Sequence, residues 1–169
     1  MTGYDPVGWG DLFACAGGAA AALAGLIFVG LSVNMSRLLE LDKSRGQNFL
    51  TGRALEAFVA MLSVLVTCIV ALTPHILKGV LAAFIVLMAA VSAISPVRAV
   101  GLANRDERRS LTLLQRVIFA FGLTCCLLVC GVTLAAGRGG GLFWLPAAFV
   151  LAFMVASVNS WVLLVEVLR

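Results

Sequence analysis

Apolar residues run almost without interruption through five stretches of the chain: Leu12 to Asn34, Ala54 to Thr73, Gly79 to Val97, Val117 to Ala136 and Leu142 to Val165. Apart from Glu56, every charged side chain lies outside them. An α-helix rises about 1.5 Å per residue, so even the shortest stretch reaches roughly 28 Å, close to the ~30 Å of a bilayer's hydrocarbon core. The pattern predicts an all-α integral membrane protein with five transmembrane helices in a single transmembrane domain covering residues 1–169. Two connections, Pro74 to Lys78 and Gly137 to Gly141, are so short that the spans on either side of each must run antiparallel. The predicted arrangement is one helix followed by two hairpins.

Two helix ends are predicted from local patterning. Leu38, Leu39 and Leu41, set among Arg37, Glu40, Asp42 and Lys43, carry the first helix past the membrane until Gly46 stops it. Phe49 and Leu50 then return the chain to the interface. Asp106 or Ser110 can cap a helix starting at Leu111, which puts Gln115 and Arg116 about a turn inside the fourth helix.

A hydrophobic content of 62% and a mean hydropathy of +1.10 exclude a soluble globular domain. In a soluble protein a net charge of +4 would point to nucleic acid; here the distribution of charge is what matters, and no nucleic-acid partner is expected. Arg37, Lys43, Arg45, Arg53, Arg98, Arg105, Arg108, Arg109, Arg116 and Arg169 fall on one side of the predicted topology, and only Lys78 and Arg138 on the other. The positive-inside rule therefore predicts the N-terminus outside and the C-terminus in the cytoplasm. Trp9 and Trp144 at the outer interface and Trp161 near the inner one fit the headgroup preference of indole. The first span lacks a basic leading segment and is too long for a signal core, so it is expected to remain as an N-out anchor.

Small residues dominate the first span. Ala14, Gly18 and Ala22 recur at four-residue spacing, as do Gly17, Ala21 and Gly25, and such stripes let another helix backbone approach closely in lipid. These six are the candidate helix-packing interface, within one protomer or between chains. The strongest polar side chains of the spans gather toward the cytoplasmic side: Asn34, Arg53, Glu56, Gln115, Arg116, Asn159 and Glu166 form a candidate polar cluster. It reads either as a pocket open to the cytoplasm or as interhelical glue with a local Arg53–Glu56 pair.

Catalysis is not expected. The single histidine, His75, lies in an outer turn, and no metal-protease, phosphate-loop or nucleophile-elbow motif occurs. Cys15, Cys68, Cys125, Cys126 and Cys130 are all inside spans, an odd number without a CxxC pair, so neither a disulfide framework nor a zinc site is predicted, and no metal or cofactor is assigned. The midplane carries hydroxyls such as Ser63, Thr67, Thr124 and Thr133 but no charge, which disfavours proton- or ion-coupled transport.

Trp9, then Gly17-Gly18-Ala-Ala-Ala-Ala-Leu-Ala-Gly25-Leu-Ile-Phe-Val-Gly-Leu-Ser-Val-Asn34, followed by Arg53-Ala-Leu-Glu56, resembles the start of a family of small uncharacterised bacterial multi-span membrane proteins. The likeness covers the first third of the chain and implies a location in the bacterial inner membrane, with no activity or site to carry over. The functional expectation is a non-catalytic helix-packing or regulatory subunit of an oligomeric membrane assembly. The alternatives are a homo-oligomeric ion channel with Asn34, Asn159 and Glu166 at its inner mouth, and lipid or small-molecule binding around Glu56 and Asn159. Expected partners are membrane lipids, with anionic headgroups at the cytoplasmic face, and a second copy or another membrane protein.

Overall fold

The computed structural model describes residues 3–45, 49–102 and 111–168. Every regular element among them is helical: α1 Gly10–Arg45, α2 Phe49–Ala71, α3 Lys78–Leu102, α4 Leu111–Ala136 and α5 Leu145–Leu168, with single 3₁₀ turns at Pro6–Trp9 and Gly141–Trp144. Four helices, α1, α2, α4 and α5, are long and apolar enough to cross a bilayer, which makes this a multi-pass membrane fold. In α3 the apolar helix described without interruption is Lys78–Ile94. The helix itself continues through Pro96 to Leu102, beyond the predicted end at Val97. Proline there has no N–H to offer the Ser92 carbonyl one turn back, and the buried Ser92 hydroxyl finds no hydrogen-bond partner among the described residues.

α1 has 36 residues, roughly 54 Å of helix, and so outruns the ~30 Å core as its charged end implied. It extends to Arg45; Gly46, the predicted stop, lies outside the described residues. Near its end the buried Asp42 carboxylate accepts hydrogen bonds from Leu50 N at 2.9 Å, Thr51 N at 3.0 Å and the Thr51 hydroxyl at 2.6 Å. These satisfy two of the open donors at the start of α2, a cap supplied across the connection. α4 is described from Leu111 onward, with Gln115 and Arg116 inside it. The proposed caps Asp106 and Ser110 lie outside the described residues.

The helices α2, α3, α4 and α5 form a ring in which α4 packs between α3 and α5 while α2 touches both α3 and α5. The α1 helix joins from outside, along α2, and barely meets α5. The ring interior is filled by Ala57, Met61, Val64, Leu81, Ile85, Leu127, Cys130, Leu145, Ala148 and Ala152, all nearly or fully inaccessible. Three alanines and a cysteine among them allow close backbone approach, which, rather than expulsion of water, holds helices together in lipid.

At the N-terminal end the chain ties itself to the turn between α4 and α5. Leu142 N donates to Gly3 O at 2.7 Å, Gly140 N donates to the Tyr4 hydroxyl at 3.1 Å, and Trp9 meets Phe143 edge-on at 5.0 Å. The turn reverses through Gly137, Gly139, Gly140 and Gly141, all at positive φ, a conformation that a Cβ would strain.

Candidate functional site

α1 presents two faces of different character. Its packed face is Phe13, Ala16, Gly17, Ala20 and Ala24, the spacing of one helical side. Of the six candidate interface residues only Gly17 belongs to it: a Cβ there would sit 3.0 Å from Cys68 Cβ on α2. Ala14, Gly18, Ala21, Ala22 and Gly25 are exposed on the flank beside it, and nothing comes within 4 Å of a Cβ built at Gly18 or Gly25. Within the chain, therefore, five of the six lie outside the buried face of α1.

The polar candidates divide. Four of the seven converge where α2, α4 and α5 meet. Arg53 and Glu56 come from the first two turns of α2, Arg116 from the second turn of α4 and Asn159 from the middle of α5, and all four are at most 8% exposed. Arg116 Nε and Glu56 Oε2 form a salt bridge. Asn159 Nδ2 donates to the same carboxylate oxygen at 3.2 Å, and Asn159 Oδ1 accepts a longer bond, 3.4 Å, from an Arg53 terminal nitrogen. One carboxylate is thus shared by an arginine and an amide from two other helices, and the amide passes the contact to a second arginine.

The pairing of Glu56 with Arg116 differs from the local Arg53–Glu56 pair that sequence spacing offers. Both residues point into the ring, and the interior brings α4 closer to the carboxylate than the next turn of its own helix. Glu56 Oε1 accepts no hydrogen bond among the described residues.

The remaining three candidates stand apart. Asn34 is half-buried and donates through Nδ2 to Gly30 O, 2.9 Å, within its own helix. Gln115 is exposed. The Glu166 side chain lies outside the described residues. Nor is the cluster an open pocket: the crevice beside it, lined by Arg116, Phe119, Val155, Val158 and Asn159, has no space for a water molecule. Among the described residues, two cations, one anion and an amide are gathered in a sealed interior, an arrangement suited to holding three helices in register.

The hydroxyls near the midplane are spent internally. Ser63 donates to Ala60 O, Thr67 to Ser63 O, Thr124 to Ala120 O and Thr133 to Val129 O, each one turn back on its own helix. Among the described residues no group of three or more His, Cys, Asp or Glu side chains is placed to hold a metal ion.

Sequence reasoning missed two features. One is Gly131 on α4, where a Cβ would lie 2.6 Å from Val86 Cγ2 and 3.1 Å from the Ala82 carbonyl of α3. The only sequence signal was a glycine in an otherwise bulky stretch. The other is a cavity of about 370 Å³ between α1 and α5, lined by Leu23, Leu26, Ile27, Gly30, Asn34, Ser160 and their neighbours; nothing in the sequence marks it, because it exists only where two helices fail to meet. In comparisons with known proteins, no family model, no curated protein and no solved structure matches the chain.

Proposed function

We propose that this chain is a non-catalytic, multi-pass membrane protein that assembles through the outward face of α1 with a partner helix, from a second copy or from another membrane protein. The observation that carries this reading is the exposed run Ala14, Gly18, Ala21, Ala22 and Gly25, beside the face that α1 uses against α2. A surface without side-chain bulk has little to offer lipid tails that leucine would not offer better. To another helix it offers backbone contact at short range.

The membrane reading includes α3 as a fifth span, with the N-terminus outside and the C-terminus in the cytoplasm. The distribution of arginine and lysine supports that orientation, and the family resemblance of the first third supports the bacterial inner membrane as the location. Lys78, exposed at the start of α3, then faces outward. An amine reagent that does not cross membranes is expected to label it in intact cells; labelling only after lysis would reverse the orientation.

Open space at Gly18 and Gly25 makes the docking test a clean one, since leucine at either position meets no atom of the same chain. Gly18→Leu with Gly25→Leu is expected to leave helicity and thermal stability unchanged while raising the dissociation constant of the assembly about 10- to 100-fold, the effect of one or two overpacked contacts. Native mass spectrometry from mild detergent reads this directly. An assembly mass unaltered by both substitutions would remove the docking role of α1.

A further inference from the structure

The gap between α1 and α5 lies on a different side of α1 from the small-residue face. Its walls are leucine, isoleucine and glycine over most of their length, from Leu23 to Leu38 on one helix and from Ala156 to Leu164 on the other. On α1 the polar group of the lining, Asn34, sits in the half toward the helix C-terminus; α5 adds Ser157 and Ser160. Along α1 the groove runs roughly 22 Å, longer than the ~15 Å that one leaflet contributes to the hydrocarbon core. The space between the two walls is about 370 Å³. An extended hydrocarbon chain matches the groove in length.

One cation marks the polar end. Arg37 stands three residues beyond Asn34 and seven beyond Gly30, on the same side of α1 as the groove. It is exposed and makes no ion pair or hydrogen bond with Glu40 or any other described residue. From these features we infer that the groove is a binding site for an anionic phospholipid: one acyl chain lies between α1 and α5, Asn34 and Ser160 face the ester region, and Arg37 meets the headgroup phosphate. This goes beyond the proposed docking role and occupies the other side of the helix, so either can fail alone.

The test uses the full chain, stripped of lipid in mild detergent and offered phosphatidylglycerol or phosphatidylcholine of equal chain length, with bound lipid counted by native mass spectrometry. One phosphatidylglycerol per chain is expected, preferred over phosphatidylcholine about five-fold, the contribution of one well-placed juxtamembrane cation. Arg37→Gln is expected to abolish the preference while phosphatidylcholine binding persists. Gly30→Leu, where a Cβ meets nothing within 4 Å, and independently Ser160→Leu each fill the groove and are expected to abolish retention of both lipids, with Gly18→Leu as a control that retains them. Equal retention of the two lipids by the wild-type chain, a preference that survives Arg37→Gln, or lipid kept by both filled variants would overturn the assignment. So would a loss of oligomer mass on filling the groove, since a second copy would then be its occupant.

Discussion

Glu56→Leu is expected to lower the unfolding free energy by about 3–5 kcal/mol, the cost of stranding a buried charge when its partner is removed. The loss is large because the carboxylate serves two other helices at once. Without it the Arg116 guanidinium of α4 loses its counter-ion and the Asn159 amide of α5 loses its acceptor, both behind a surface that excludes water. Titration of the detergent-solubilised protein with a denaturing detergent, followed by far-UV circular dichroism, measures the shift.

The double variant Glu56→Leu with Arg116→Leu separates a charge effect from a simple loss of packing. Removing both partners returns the contact to apolar surfaces, so the double variant is expected to be less destabilised than the sum of its parts, with a coupling of about 1–3 kcal/mol. Additive losses, or a Glu56→Leu cost below about 1 kcal/mol, would mean that the cluster does not hold α2, α4 and α5 together.

The convergence of Arg53, Glu56, Arg116 and Asn159 was legible from depth alone, since strong hydrogen-bonding groups placed at one level of a bundle must find one another or leave the interior. Which pairs form was not legible. Spacing on α2 makes Arg53 the obvious partner for Glu56, and only the position of α4 in the ring decides for Arg116. Asn34, at a comparable level, was grouped with them on depth. It lies on α1, however, which stands outside the ring, and bonds its own backbone instead.

The helices themselves were read from hydropathy, which is strong over some twenty residues and weak at the ends. The extension of α1 followed from leucines interleaved with charges, a local signal. The face of α1 that packs did not follow, for a physical reason. Between Ala14 and Gly25 nearly every residue is Ala, Gly or Cys, so small residues occur all the way round and the stripe has no direction. Phe13 and the demands of α2 choose the side.

Gly131→Ala is the second substitution with a large expected effect, and it tests whether backbone contact is what joins α3 to α4. A methyl at that position falls 3.1 Å from Ala82 O and 3.3 Å from Val86 N. The Val86 side chain can turn away, but the carbonyl and amide are part of α3 and move only if the helix moves. Alanine's advantage over glycine in a helix, roughly 1 kcal/mol, is therefore expected to be outweighed by overpacking of about 1–3 kcal/mol, and Gly131→Leu should prevent native packing altogether. Gly122 on the same helix supplies the control. Its added methyl meets only the end of the Leu151 side chain, at 3.3 Å, which can rotate, so Gly122→Ala should stay within about 1 kcal/mol of wild type. If the two alanine variants unfold at the same denaturant level, the close approach at Gly131 is not what sets the distance between α3 and α4. If only Gly131→Ala falls, the distance between α3 and α4 is set by a single glycine on α4 at which the two backbones meet.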